Sequence, residues 1–291
     1  MRVGIDWGGT LIKAAVVDGA NVRAHASIET NASHGAPAVL DAIAALVRGL
    51  APSPEFAGTA IPGEVRPDGR CWRLPNVPGF EDVNIGAELS RRLGCPVGVE
   101  NDATAAALAE RLYGWGNKYK SFLLVTLGTG VGGGVVLDGN LRRGSNGFAG
   151  EIGHVLVDAS PTAWPCGCGR LGCIEAYAGK AGLLRKYREV GGHASTAREI
   201  AEHGGEKGEA VWRMMGSMLG SALGSINNTL DLDAIVFTGG ISNSFALIEP
   251  HVRAALKLRV FAPPLAELPL LTSQLGEHAG VIGAAHLPAP V

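Results

Sequence analysis

Residues 147–154 read GFAGEIGH, and residues 166–175 read CGCGRLGCIE. Together the two runs place one imidazole and three thiols within twenty residues. Three Cys and one His are a common closed, tetrahedral shell for zinc, and glycine lets a backbone curl tightly enough to aim neighbouring sulfurs at one ion. The spacing therefore predicts a structural metal site with the ligands His154, Cys166, Cys168 and Cys173.

Two carboxylates, Glu151 and Glu175, bracket the predicted ligands. A metal site that holds two carboxylates in place is typical of a site that binds a polar ligand. It is not typical of an independent zinc finger. Two other interpretations stay open at this point. The thiols are reduced and unmetallated in a loop, or the zinc is catalytic and keeps an open coordination position.

The bulk composition narrows the class of protein. The chain has 291 residues, a length that predicts about two domains, and its mean hydropathy of +0.18 provides for a large core. A formal net charge of -2 argues against a nucleic-acid partner. An odd cysteine count of five, with a metal-type cluster, indicates a reducing compartment.

Targeting signals are not expected either. Asp6 stands where a signal peptide needs its apolar stretch. The longest uncharged apolar run, residues 122–137, contains five glycines and is too short to span a bilayer. We therefore expect a cytoplasmic protein without a membrane partner.

An internal repeat indicates a duplicated architecture. Residues 5–19 align without a gap with residues 125–139, and Gly8, Val16, Asp18 and Gly19 recur 120 residues later. Both segments read as strand, glycine turn, strand and tight turn, although glycine-rich hairpins also look alike by chance. We predict two α/β halves that face each other across a cleft. They comprise domains 1–113 and 114–278, and a helix within 279–291 is a candidate to pack on the first.

Apolar spacing places the other elements. A period near 3.6 predicts helices over residues 37–50, 103–113 and 211–230. Residues 64–80 are rich in Pro, Gly and Asn and read as an ordered loop, and residues 128–134 read as a glycine loop before a strand at 135–137.

The two glycine turns are candidate phosphate sites. Gly8-Gly9-Thr10 and Gly128-Thr129-Gly130 each follow a predicted strand and present backbone N–H groups. Neither is a Walker loop, because no Gly-Lys-Ser/Thr follows, and a plain hairpin explains either turn alone. Asp6 is placed to hold Mg²⁺ near bound phosphates, with turn capping as the alternative role.

Asn101 and Asp102 follow a predicted strand and open a helix. Both residue types suit N-capping, and for Asn101 that alternative stays open. For Asp102 we favour a general base, because phosphoryl transfer to a hydroxyl needs a carboxylate within hydrogen-bond reach.

The metal segment and one more glycine turn supply the remaining candidates. Glu151, His154 and Glu175 suit paired hydrogen bonds to sugar hydroxyls, although the two acids are also explained as plain surface residues. Thr238-Gly239-Gly240 follows a buried strand. It allows close approach of a flat ring or a ribose, or serves only as a strand-to-helix turn.

These motifs resemble the ROK family (repressors, open reading frames and kinases), within the sugar kinase, Hsp70 and actin superfamily. The resemblance runs essentially end to end. Its most specific parts are DxGGT at 6–10, END at 100–102, LGTGxGG at 127–133, GExGH at 150–154, CxCGxxGCxE at 166–175 and TGG at 238–240. It implies a two-domain, actin-like (ribonuclease H-like) ATPase fold of the α/β class, with an internal duplication and a cleft between the domains.

The resemblance also implies a role for each matching residue. Asp102 would be the catalytic base toward a sugar 6-hydroxyl, ATP and Mg²⁺ would be the cofactors, and Zn²⁺ would be structural. The sugar contacts would be Gly63, Asn76, Asn101, Asp102, Glu151, His154 and Glu175. The nucleotide contacts would be Asp6, Gly8, Gly9, Thr10, Gly128, Thr129, Gly130, Gly239 and Gly240.

We therefore expect an ATP-dependent hexose kinase, most similar to a glucokinase, that acts as a homodimer. N-acetylmannosamine kinases and fructokinases use the same motifs and remain alternatives. A non-catalytic sugar-sensing regulator and a zinc–thiol redox protein are alternatives from other classes. The family's repressors carry an N-terminal helix-turn-helix, which we do not expect here because the first strand begins at Val3. The intact second glycine turn and the zinc run favour ATP over polyphosphate.

Overall fold

The computed structural model describes residues 1–66, 68–75, 77 and 79–289. Contacts between Cα atoms divide the chain into two compact units, neither of which is one continuous stretch. Unit 1 comprises Met1–Lys120, Gly134–Gly150 and Gln274–Val291, and unit 2 comprises Ser121–Gly133 and Glu151–Ser273.

The main sheet of unit 1 has five strands in the order β3-β2-β1-β4-β7. The first three strands pair in antiparallel fashion through two hairpins, and β4 and β7 continue the sheet in parallel. The strands are β1 (Arg2–Trp7), β2 (Leu11–Asp18), β3 (Asn21–Glu29), β4 (Phe56–Ile61) and β7 (Val97–Asn101).

Helices cover both faces of this sheet. On one face, α1 (Ala36–Leu50) and α2 (Ile85–Leu93) bury Ile43 and Leu89 against Ile5. On the other face, α9 (Ala279–Ala285) buries Ile282 against Ala15 and Ala109, the last of which belongs to α3 (Asp102–Tyr113). The apolar residues of β1 and β2 therefore serve two cores, as expected of a strand that is buried on both sides.

The segment predicted as a loop at 64–80 contains regular structure. Glu64–Val65 (β5) and Cys71–Arg73 (β6) pair as a small antiparallel sheet with a register irregularity between Glu64 and Val65. The prediction of an ordered loop did not include these strands, because strands of two and three residues are too short to give a periodic apolar signal.

The second sheet repeats the strand order of the first, as β10-β9-β8-β11-β12. Its strands are β8 (Phe122–Leu127), β9 (Val131–Leu137), β10 (Asn140–Arg142), β11 (Ala234–Thr238) and β12 (Leu270–Thr272). Again the first three form hairpins and the last two are parallel to the first. The predicted α/β class and the duplication are therefore confirmed. The glycine loop is shorter than predicted, because β9 already begins at Val131.

Unit 2 also contains five helices, α4 (Ile174–Ala178), α5 (Lys180–Glu189), α6 (Ala197–His203), α7 (Gly205–Leu230) and α8 (Phe245–Arg259). The two longest, α7 and α8, meet at three glycines of α7 spaced four residues apart, Gly216, Gly220 and Gly224. A Cβ atom at Gly216 would lie 2.5 Å from His251 Cβ, and one at Gly224 would lie 2.8 Å from Arg259 Cβ. Among the described residues, none of the helices combines the length and the hydropathy needed to cross a bilayer.

Candidate functional site

The first glycine turn joins β1 to β2 in unit 1. The Gly8 N–H donates to the Leu11 carbonyl at 2.9 Å, and the Thr30 hydroxyl, which follows β3, donates to the Gly8 carbonyl at 2.8 Å. The Thr30 N–H donates to the Thr10 carbonyl at 3.0 Å. Gly9 and Thr10 are exposed at the tip. The turn is thus braced from one side and presents backbone on the other.

Asp6 lies one residue before the end of β1 and faces Lys13 in the register of the β1–β2 pair. The start of α9 closes over the carboxylate, since a Cβ atom at Gly280 would lie 2.8 Å from Asp6 Cγ. Burial raises the pKa of the Asp6 carboxyl, and the positive charge of Lys13 acts in the opposite direction. Lys13 itself donates to Glu277 at 2.8 Å. A bound cation would favour the charged form of this carboxylate, which burial disfavours.

The second glycine turn joins β8 to β9 in unit 2. The Gly128 N–H donates to the Gly130 carbonyl at 3.0 Å, and the Lys180 N–H, at the start of α5, donates to the Gly128 carbonyl at 3.0 Å. The Thr126 hydroxyl oxygen accepts from the Gly132 N–H at 3.1 Å. Thr129 is exposed at the tip. This turn is therefore braced by the start of α5, a helix that follows the metal segment.

Gly239 and Gly240 follow β11, which lies next to β8 in the sheet. Gly239 has a φ of 92°, and a Cβ atom there would lie 2.5 Å from the Leu127 carbonyl oxygen. Glycine is therefore required at this position by both backbone conformation and space. The Ser242 hydroxyl donates to the Gly239 carbonyl at 2.6 Å. Both glycines are exposed, and they lie at the end of the sheet where β8 enters the second glycine turn.

Asn101 and Asp102 begin α3 at the end of β7. Asn101 is the N-cap, because its side-chain oxygen accepts from the Thr104 N–H at 3.1 Å. Its side-chain nitrogen donates to the Gly63 carbonyl at 3.2 Å. The Asp102 carboxylate accepts from the Ala103 N–H at 2.7 Å, and the residue is half-buried. The structure thus brings Gly63, Asn101 and Asp102 together at one strand end.

Glu100, next to this pair, makes contacts that the sequence pattern does not predict. Its buried carboxylate accepts from the Asn101 N–H at 3.0 Å and forms an ion pair with Arg143. Arg143 belongs to the segment that leads into the GExGH motif. A charged residue at the end of an otherwise apolar strand was the only signal for this ion pair in the sequence. Asn76, another predicted sugar contact, lies outside the described residues.

The metal ligands converge in unit 2. One ligand atom from each of His154, Cys166, Cys168 and Cys173 lies within 4.8 Å of all the others. The Cys168 and Cys173 sulfurs are 3.7 Å apart, and the Cys166 sulfur is 3.7 Å from His154 Nδ1. Zn–S bonds of about 2.3 Å in a tetrahedron give sulfur separations of about 3.8 Å. The donor set and its dimensions therefore fit zinc.

The cysteines are also chemically suited to a metal. All five in the chain are free thiols. Burial raises the pKa of the Cys166 thiol to about 12, so any cation bound there displaces a proton. Backbone hydrogen bonds fix the turn that carries Cys166 and Cys168. The Cys166 N–H donates to the Arg170 carbonyl at 2.8 Å, and the Gly169 N–H donates to the Cys166 carbonyl at 3.0 Å.

Both predicted acids of this segment contact the ligand cluster. His154 Nε2, on the ring edge away from Cys166, lies 3.9 Å from the Glu151 carboxylate. Glu175 accepts from the Cys166 thiol at 3.6 Å through one oxygen and from the Val131 N–H at 3.1 Å through the other. Glu175 therefore links the metal cluster to the backbone of the second glycine turn, a contact that the sequence pattern did not predict.

Comparison with known proteins agrees with this arrangement. The sequence profile of the ROK family matches residues 2–289. The glucokinase of Halalkalibacterium halodurans is 35% identical over 315 aligned residues, which cover 98% of this chain and 94% of that protein. The chain belongs to the ROK family.

A solved ROK structure shares the fold across nearly the whole chain. The ROK family glucokinase of Streptomyces griseus, in complex with glucose and AMPPNP, superposes with a TM-score of 0.85 at 29% identity. The match covers 98% of this chain and 97% of that one. The predicted actin-like ATPase fold is therefore confirmed.

ROK relatives of this chain differ in the sugar they are named for. The N-acetylmannosamine kinase of Escherichia coli is 33% identical, with 97% of this chain and 96% of that protein covered. The N-acetyl-D-glucosamine kinase of Histophilus somni is 31% identical over 99% of this chain and 98% of that protein. Overall similarity thus points to sugar kinases as a group.

Proposed function

We propose that this ROK protein is an ATP-dependent hexose kinase that transfers the γ-phosphoryl group to a sugar 6-hydroxyl, with glucose as the acceptor. The observation that carries the proposal is the Asp102 carboxylate at the start of α3, held beside Asn101 and Gly63. Nearly full-length similarity to glucokinases supports the same conclusion.

In this proposal Asp102 is the general base. It accepts the proton of the sugar 6-hydroxyl as the oxygen attacks the γ-phosphorus and the bond to the β-phosphate oxygen breaks, leaving ADP. Asn101 and Gly63 orient the sugar beside Asp102, since their mutual hydrogen bond already fixes both groups. Asn76 is included among the sugar contacts on the resemblance alone.

The metal segment supplies the other sugar contacts in the proposal. Glu151, His154 and Glu175 hydrogen-bond sugar hydroxyls, and Zn²⁺ on His154 and the three cysteines is structural. Zinc would fix the ring of His154 and the helix that begins beside Cys173, and thereby the two acids. Four protein ligands leave no open coordination position for a catalytic role.

The phosphates and adenosine are assigned to the glycine turns. Backbone N–H groups of Gly8, Gly9 and Thr10, and of Gly128, Thr129 and Gly130, bind phosphate oxygens. Asp6 holds Mg²⁺, which neutralises charge that develops during transfer. Gly239 and Gly240 border the adenosine, where the absence of side chains permits close approach.

A second candidate is a kinase for N-acetylmannosamine or another N-acetylated hexosamine, which the identity of 33% to the Escherichia coli enzyme favours. An ATP-coupled assay across glucose, mannose, fructose, N-acetylglucosamine and N-acetylmannosamine separates the candidates through kcat/KM. Turnover of no sugar would favour a sugar-sensing regulator instead. Light scattering of the same preparation checks the proposed homodimer.

The Asp102→Asn variant tests the base directly. We expect kcat to fall by about 10² to 10⁴, while the dissociation constant for the sugar, measured by calorimetry, stays within about threefold. Asp18→Asn makes the same chemical change at an exposed hairpin acid that pairs with Arg23, and it should leave kcat unaltered. Retained turnover in Asp102→Asn would rule out the assignment.

A further inference from the structure

Two exposed aromatic side chains meet in unit 1, next to the proposed acceptor residues. Trp72 lies on β6 and is 44% exposed, and Phe148 lies before the GExGH motif and is 37% exposed. Their ring centroids are 5.4 Å apart, with an interplanar angle of 63°. Single exposed apolar residues are ordinary, but an aromatic pair from two distant segments is typical of a binding surface.

β6 packs against Gly63, the residue that Asn101 contacts. Gly63, whose carbonyl accepts from Asn101, has no room for a side chain because the Arg73 carbonyl occupies that position. The buried carboxylate of Glu64 accepts from Arg73 at 3.3 Å. The Arg73 guanidinium in turn lies 5.4 Å from the centre of the Trp72 ring. Trp72 is therefore connected to the acceptor residues through direct contacts.

The segment that carries Phe148 is fixed to the same region. Arg143 forms the ion pair with Glu100, and the Ala149 N–H donates to the Arg143 carbonyl at 3.0 Å. Phe148 follows within this closed turn, three residues before Glu151. The aromatic pair thus joins β6, which packs against Gly63, to the segment that leads into Glu151.

We propose that Trp72 and Phe148 form an aromatic wall of the acceptor site, which contacts the apolar C–H face of a hexopyranose. The inference rests on the proposed function and deepens it, because it names pyranose rings as the preferred acceptor class. Hydroxyls of a sugar need polar partners, but the axial C–H groups of a pyranose form a flat apolar face that suits a ring. A furanose presents no comparable flat face.

The test uses the tryptophan itself as the probe. Trp72 is the most exposed of the five tryptophans, since Trp7 and Trp212 are buried and Trp115 and Trp164 are half-buried. We expect glucose, without nucleotide, to shift the tryptophan emission of the full-length protein and to protect it from acrylamide quenching. Both responses should disappear in Trp72→Phe, although that variant keeps an aromatic face and a sugar KM within about threefold of wild type.

The Trp72→Ala variant gives the kinetic counterpart. Its sugar KM should rise about fivefold to tenfold, with a smaller change in kcat and in the KM for ATP. Phe148→Ala should act in the same direction. Phe261→Ala is the matched control, because Phe261 is an aromatic residue of unit 2 that is 92% exposed, and it should leave the sugar KM and the quenching response unchanged.

Two results would overturn the wall. One is an enzyme that phosphorylates glucose while the sugar leaves Trp72 emission and quenching unaffected. The other is a sugar KM in Trp72→Ala equal to that of wild type. A wild-type protein that phosphorylates no sugar in the coupled assay instead contradicts the proposed function, and sugar-dependent protection of Trp72 would then still support the binding surface.

Discussion

The two glycine turns occupy the same place in two sheets of identical strand order, yet they are built differently. The first follows Asp6 and is braced by Thr30, from the end of the next strand of its own sheet. The second has Thr126 in place of Asp6 and is braced by Glu175, which comes from the metal segment.

The comparison shows how a duplicated hairpin is specialised by its neighbours. The first turn keeps a half-buried acid, and the positive charge of Lys13, its partner in the register of the sheet, offsets part of the cost of that burial. The second turn gives up the acid and depends on a carboxylate that also contacts Cys166. We therefore propose that the first turn supports the phosphate chemistry that needs a cation, and that the second turn is the one sensitive to loss of the metal.

Loss of the metal cluster should have the largest effect and should separate the two turns. Cys166→Ser is expected to lose zinc and about 4 kcal/mol of unfolding free energy, because removal of a structural metal is among the most destabilising changes. Amide exchange should accelerate at Val131, whose N–H depends on Glu175, and not at Gly8. Cys95→Ser, at a buried cysteine outside the cluster, should keep full zinc content. Equal acceleration at both turns would contradict the dependence of the second turn alone on the metal cluster.

Asp6→Asn should act on the first turn alone, with a fall in kcat of about a hundredfold from the loss of a Mg²⁺ ligand. The same substitution should increase the free energy of unfolding at neutral pH, although it lowers kcat. Because burial raises the pKa of Asp6, the folded chain keeps the proton longer than the unfolded chain. Wild type therefore loses stability as pH rises from about 3.9 through the raised pKa.

The Asn variant cannot ionise, so it should lack this loss and be more stable than wild type at neutral pH. Urea unfolding from pH 4 to pH 8 measures how the free energy of unfolding depends on pH in wild type and in the variant. Thr126→Val, at the matching position of the second turn, should have a smaller effect than Asp6→Asn on kcat and on the pH dependence of the free energy of unfolding. A variant with wild-type kcat would remove the magnesium role from Asp6.

Thr30→Val should have the smallest effect, about 1 kcal/mol of unfolding free energy, because it removes one hydrogen bond to the Gly8 carbonyl. The KM for ATP should rise more than the KM for the sugar. Thr30→Ser keeps the hydroxyl and should restore both quantities, as judged by urea unfolding and steady-state kinetics. If Thr30→Ser behaves like Thr30→Val, the methyl group and not the hydrogen bond braces the turn.

Much of this arrangement could be predicted from the sequence because it depends on local patterns. The repeat at an offset of 120 residues predicts two sheets with the same opening hairpins, and the sheet orders confirm it. The spacing of His154 and the three cysteines predicts one cluster, and their ligand atoms do converge. Both signals involve residue types that are rare enough to be specific.

Other features have a misleading local signal or none. Helix α8 was not predicted because Pro250 lies inside it, and an interior proline normally signals the end of a helix, although the buried residues Phe245, Ile248, Val252 and Leu256 keep helical spacing. The contacts of Glu175 with Val131 and of Glu100 with Arg143 join residues that are 44 and 43 positions apart. Such pairs depend on tertiary packing, about which the periodicity of apolar residues gives no information.

The glycines at which α7 meets α8 limit how this chain can diverge. At Gly216 and Gly220 any larger residue would collide with the backbone of α8, and unit 2 would have to repack along its longest helix. Drift in this region is therefore confined to the outward side chains, such as the exposed Leu258. Relatives that replace these glycines should carry compensating changes along α8. Correlated substitutions between the two helices are therefore expected in the family.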